Sequence, residues 1–137
     1  MTPSPAPPFA DTNVLLYLIS HDAAKARRAE KLLSSRVSIS VQVLNEFAHV
    51  ARRKHSLDWN ELTETLAGIR HFVELHPLTL DTHLLGLKVA ERYRFSLYDA
   101  MIAAAALQAG CDTLWSEDFQ SGQLIDGRLR VANPFAH

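Results

Sequence analysis

Four carboxylates stand where acids can do chemistry. Asp11 follows the short apolar approach Phe9-Ala10 and precedes the run Val14-Leu15-Leu16-Tyr17-Leu18-Ile19, which places it at a strand-to-helix junction. Glu46 lies between Val43 and Val50, at the edge of an apolar helical stripe. A charge in that position is costly unless it is paired or bound to a cation. Asp99 falls in the first turn of a helix opened by Ser96, and Asp118 sits just past the strand-like Thr113-Leu114-Trp115. Taken singly, each acid also has a plain structural use. Asp11 fits a helix cap, and Ser96-x-x-Asp99 fits a capping box. Glu46 fits an ion pair with a neighbouring arginine, and Asp118 with Glu117 fits a solvated turn. Brought together, the acids repel one another, and a hard divalent cation such as Mg²⁺ or Mn²⁺ relieves that repulsion. A cation held this way lowers the pKa of a bound water, grips a phosphate and neutralises charge on a leaving oxygen.

The elements around these residues alternate. A strand is expected to end at Asp11, with a buried helix beginning near Asn13, and Asp22 caps a second helix running to about Leu33. Val37-Ser38-Ile39-Ser40 alternates as a strand does, and a helix with Val43, Leu44, Phe47, Val50 and Ala51 on its apolar face follows. That helix closes in Arg52-Arg53-Lys54-His55, which suits the negative end of a helix dipole. Asp58 caps a helix through Leu62, Leu66, Ile69 and Phe72, and His76-Pro77-Leu78-Thr79 reads as a strand. Asp81 opens a helix with Leu84, Leu87 and Ala90 inward, and the Ser96 helix stops at Gly110. Thr113–Trp115 and Leu129–Val131 supply the last strands. Short strands alternating with long helices indicate an α/β fold: a three-layer α/β/α domain with a short, mostly parallel central sheet. Ligands bind such sheets beyond the carboxyl ends of the strands, where the four acids are expected.

The local sequences around the acids resemble the four motifs of PIN domains, in the family's order. They are Phe9-Ala10-Asp11-Thr12-Asn13, Val43-Leu44-Asn45-Glu46-Phe47, Leu97-Tyr98-Asp99-Ala100-Met101-Ile102 and Leu114-Trp115-Ser116-Glu117-Asp118-Phe119. The resemblance runs from about Phe9 to Phe135 and is strongest to the VapC-like ribonuclease toxins of bacterial toxin–antitoxin pairs. It implies that Asp11, Glu46, Asp99 and Asp118 are catalytic and hold one or two Mg²⁺ ions, with Mn²⁺ as a substitute. It implies hydrolysis of RNA to a 5′-phosphate and a 3′-hydroxyl. Asn13 and Ser116 match positions that orient the acids, and Glu117 is expected to add an outer carboxylate. A cognate antitoxin that crosses the acidic pocket and a homodimer are the partners implied. The alternatives within the fold are a catalytically silent RNA- or partner-binding module and a structure-specific DNA nuclease.

Composition agrees with one globular domain: 137 residues, 47% of them hydrophobic and 21% charged. Fourteen Lys and Arg against fifteen Asp and Glu give a net charge of −1, which excludes a histone-like polycation but leaves a nucleic-acid partner open. Substrate phosphates are expected to meet Arg52, Arg53 and Lys54, with Lys25, Arg27, Arg28 and Lys31 a second basic group. A solvated helix face explains either group equally well. The seven histidines show no His-x₃-His pair, which argues against zinc, and the single cysteine, Cys111, excludes an internal disulfide. No apolar run approaches the roughly 20 residues of a membrane span. A cytoplasmic protein is therefore expected, with a Pro-rich flexible leader over residues 1–8 and a single domain over 9–137.

Overall fold

The first strand, β1 (Phe9–Ala10), has two residues and still occupies the middle of the sheet. It pairs in parallel with β2 (Val37–Ser40) on one side and β4 (Thr113–Trp115) on the other. The computed structural model describes residues 6–136. Beyond β2 lies β3 (Val73–His76), and beyond β4 lie β6 (Leu129–Ala132) and the antiparallel edge strand β5 (Leu124–Ile125). The order is therefore β3-β2-β1-β4-β6-β5. Among the described residues six α-helices complete the expected three-layer arrangement: α1 (Thr12–Leu16), α2 (Ala23–Ser34), α3 (Val41–Lys54), α4 (Trp59–Phe72), α5 (Leu80–Tyr93) and α6 (Leu97–Gln108).

The sequence dictates most of these boundaries through its caps. Asp22, Ser40, Asp58 and Ser96 each accept a backbone N–H from the first turn of the helix they precede. Gly110, at φ 79°, takes the left-handed conformation that ends α6. From Ala100 to Leu107 helix α6 is buried on all sides, and its run Ala103-Ala104-Ala105-Ala106 keeps it thin enough to lie between the sheet and α5. Phe9, Ile39, Phe47, Ile102 and Leu114 fill the centre of the core with essentially no exposed surface.

Three expectations are corrected. The third strand is Val73–His76 rather than His76–Thr79, because α4 runs into it without a loop and its helical periodicity hides the change. Thr79 rather than Asp81 caps α5, in a reciprocal capping box with Thr82. The buried face of α5 is Thr82, Gly86 and Val89, while Leu84 and Leu87 are exposed. Thr82 turns inward because its hydroxyl donates to Gln108 Oε1 at 2.6 Å. Gly86 lies inward because a Cβ there would stand only 2.6 Å from the Met101 sulfur.

Residues 1–5 of the expected flexible leader lie outside the described residues. Residues 6–8 are held at the sheet. Ala6 forms a parallel bridge with Cys111, Pro7 O accepts from Ser38 Oγ at 2.9 Å, and Pro8 O accepts from Ser38 N at 2.8 Å. Proline lacks an N–H but keeps its carbonyl, so Pro7 and Pro8 extend the ladder as acceptors only.

The topology fixes where a site forms. The chain builds β1, β2 and β3 outward in one direction, then crosses back to lay β4 on the other side of β1. The direction reverses between β1 and β4, and their carboxyl ends open the crevice at such a switch point.

Candidate active site

Asp11 leaves β1 at that crevice, and its N–H donates to Trp115 O at 2.9 Å, continuing the ladder with β4. It is both a cap and a buried acid. One carboxylate oxygen accepts from Thr12 N at 2.6 Å, and the other accepts from Ser116 Oγ at 2.7 Å. Ser116 leaves β4 directly opposite, fully buried, and its Oγ also accepts from Asp118 N at 3.0 Å. One hydroxyl thus ties the first acid to the backbone of the last. Asn13 lies across the same junction. Its Nδ2 reaches Asp11 Oδ2 at 3.4 Å and Ser116 Oγ at 3.5 Å, while its Oδ1 accepts from Glu117 N at 3.3 Å.

Asp99 arrives from the first turn of α6, where its N–H bonds to Ser96 Oγ at 3.2 Å. One carboxylate oxygen from each of Asp11, Asp99 and Asp118 lies within 4.8 Å of the others. Burial graduates across the three: Asp11 is buried, Asp99 half-buried and Asp118 exposed. Desolvation pushes Asp11 up to about 7; the bonds from Ser116 and Thr12 oppose the rise, and repulsion from Asp118 and Asp99 adds to it. Asp99 is raised as well, first by desolvation against its bond to Ser96, then by Asp118 and Glu46.

Glu46 lines the same cavity but is not one of the three converging acids. Thr12 Oγ1 donates to its Oε2 at 2.7 Å and Gln42 Nε2 to its Oε1 at 3.0 Å. Among the described residues no arginine pairs with it, so neutral donors take the place of the expected ion pair. The cavity has a volume of about 640 Å³. Gln42, Asn45, Glu46, His49 and Val50 line it from α3, at the spacing of one helix face, and Leu16 and Tyr98 complete its apolar part. Thr12, Gln42 and His49 were missed as site residues. Gln42 and His49 stand four before and three after Glu46, a signal the sequence did contain.

Two groups expected to act with the acids do not line the cavity. Glu117 turns out of the cavity: its Oε1 accepts from the Tyr17 hydroxyl at 2.6 Å and its Oε2 pairs with Lys25 Nζ at 3.2 Å. Only its backbone touches the site. Arg52, Arg53 and Lys54 occupy the last turn of α3, roughly 9 Å or more along the axis from Glu46. Arg52 lies 4.0 Å over the Trp59 ring and donates to Leu57 O at 3.0 Å.

Three buried-to-exposed carboxylates with oxygen donors only, at a strand-end crevice, suit a hard divalent cation. The donor set therefore fits Mg²⁺ or Mn²⁺.

Residues 9–121 match the family described as the PIN domain. No curated protein sequence matches the chain. Among solved structures it is similar to a toxin–antitoxin complex from Klebsiella pneumoniae, at 21% identity and TM-score 0.71, over 93% of this chain and 98% of that one. It is similar to DNA-bound VapBC from Salmonella typhimurium at 22% identity and TM-score 0.71, over 94% and 98% of the two chains. It is also similar to VapC20 of Mycobacterium tuberculosis, described as a sarcin–ricin loop cleaving toxin. That match has 22% identity and TM-score 0.65, over 80% and 88% of the two chains.

Proposed function

The chain belongs to the PIN domain family, and from that premise we propose that it is a Mg²⁺- or Mn²⁺-dependent endoribonuclease acting as the toxin of a toxin–antitoxin pair. The observation that carries the reading is the convergence of Asp11, Asp99 and Asp118 within 4.8 Å at the switch point of the sheet. The names of the similar structures support the RNA substrate and the antitoxin partner.

Asp11, Asp99 and Asp118 would hold the ion, with Glu46 on the adjoining wall available to a second. Bound there, a divalent cation supplies an acidified water and charge neutralisation at phosphate. The residues of the chain do the rest. Ser116 and Asn13 fix the Asp11 carboxylate, Thr12 and Gln42 fix Glu46, and the Ser116 hydroxyl sets the turn that presents Asp118. Arg53 and Lys54, at the exposed end of α3, would meet phosphates flanking the cut.

No helix among the described residues is long and apolar enough to cross a membrane, which accords with a cytoplasmic place of action. A homodimer would use α5, where Leu80, Leu84 and Leu87 are 71%, 48% and 44% exposed along one side.

The test is cleavage of RNA by purified, antitoxin-free chain in Mn²⁺, in EDTA, and after Mn²⁺ is restored. Cleavage that stops in EDTA, returns with metal and leaves 5′-phosphates is the expected result. Cleavage that persists in EDTA would exclude the metal-dependent reading.

A further inference from the structure

The cavity joins acids and apolar side chains in one lining, and α3 contributes both kinds. On α3, Glu46 lines it and Val50 stands four residues further on, about 6 Å along the axis. Leu16, from the end of α1, lines the cavity with Val50. The third apolar lining residue is Tyr98, which is 65% exposed and directly precedes Asp99. Its backbone is therefore fixed by the same helical turn that carries an acid of the cluster.

An exposed aromatic ring is poorly used against water, and here it adjoins a cluster suited to a cation and phosphate. A single unpaired nucleotide joins those two chemistries, with a phosphate at one end and a flat π-face at the other. Bases splayed out of single strands stack on such rings, whereas a base within a duplex offers no free face. We propose that Tyr98 is the stacking platform for an unpaired base next to the scissile phosphate, with Leu16 and Val50 as apolar lining of the same cavity. The proposal rests on the ribonuclease reading and adds to it the residue that selects unpaired RNA. Tyr98 contacts substrate and does not hold the ion.

Tyr98→Ala and Tyr98→Phe are compared with the wild-type chain in three measurements. The first is fluorescence anisotropy of a short, labelled, mixed-sequence single-stranded oligoribonucleotide in Ca²⁺, alongside its duplex form. The second is Mn²⁺ calorimetry, and the third is light scattering. Expected is a loss of single-strand affinity of about 10-fold in Tyr98→Ala, near-complete retention in Tyr98→Phe, and unchanged Mn²⁺ binding in both. Duplex affinity should not change. Equal single-strand affinity in Tyr98→Ala and wild type would overturn the platform while leaving the nuclease reading intact, provided the wild type cleaves RNA. A wild-type chain that binds Mn²⁺ but neither binds nor cuts the oligonucleotide would remove both. A Tyr98→Ala chain that changes only its oligomeric state would assign the ring to a contact between copies and overturn the proposal.

Discussion

Glu117 and Asp118 are adjacent acids on one loop, and the fold treats them in opposite ways. Glu117 turns toward Tyr17, just after α1, and Lys25 of α2, which satisfy both of its oxygens. The same Lys25 Nζ lies 4.6 Å from the centre of the Tyr17 ring, so the knot is closed by a cation as well as by hydrogen bonds. Asp118 turns the other way, toward Asp11 and Asp99, and among the described residues no lysine or arginine lines that cavity. The protein thus has a cation to give and gives it to the acid outside the site. Repulsion is retained where it can be relieved by an external ion, a pattern common where function opposes stability.

The largest effect expected from breaking this contrast is on the cluster. Asp99→Asn should lower RNA cleavage by at least about 100-fold, since even residues that merely orient a metal ligand affect activity by 10- to 100-fold. Gel assays measure the loss, and circular dichroism checks that α6 keeps its fold. Unaltered cleavage would remove Asp99 from the site.

The next effect is on stability. Asp11 rises from 3.8 to about 7 on folding, so the folded chain holds that proton more tightly than the unfolded one. Its contribution is fully present below about pH 4 and is lost as pH rises through 7, by about 4 kcal/mol at most. Urea denaturation of metal-free chain between pH 4 and 8 should show this fall, and Asp11→Asn should flatten it. An equally steep slope in the variant would place the cause elsewhere.

Substitutions outside the cluster should do less. Lys25→Met unties Glu117 and should lower the melting temperature slightly, because the pair is partly exposed. Mn²⁺ stoichiometry should stay unchanged; an added binding site would show that Glu117 had been withheld from the metal. Smallest of all, Arg53→Ala with Lys54→Ala should reduce the salt dependence of RNA binding by about one to two phosphate contacts, with little change in kcat. An unchanged slope would make that end of α3 a solvated surface only.

These contrasts were unequally legible in the sequence. Asp11, Asp99 and Asp118 could be placed because each follows a strand or opens a helix, and the chain's alternation sends those junctions to one edge. The destination of Glu117 could not be read, because Lys25 and Tyr17 reach it only through the fold. The face of α5 was hidden for a different reason. Two of its three buried positions are a threonine bonded to Gln108 and a glycine pressed on Met101, while Leu80, Leu84 and Leu87 are exposed. Apolar periodicity finds a buried stripe only when the stripe is apolar.

Mn²⁺ calorimetry, with thermal melting alongside, on antitoxin-free wild type and on Asp99→Asn tests the central claim most directly. The account predicts that wild type binds and gains about 2.7 kcal/mol of stability at 100 times its dissociation constant. The folded variant should do neither. A wild-type chain that ignores Mn²⁺ would contradict the account and leave the converging acids as helix caps and backbone ties.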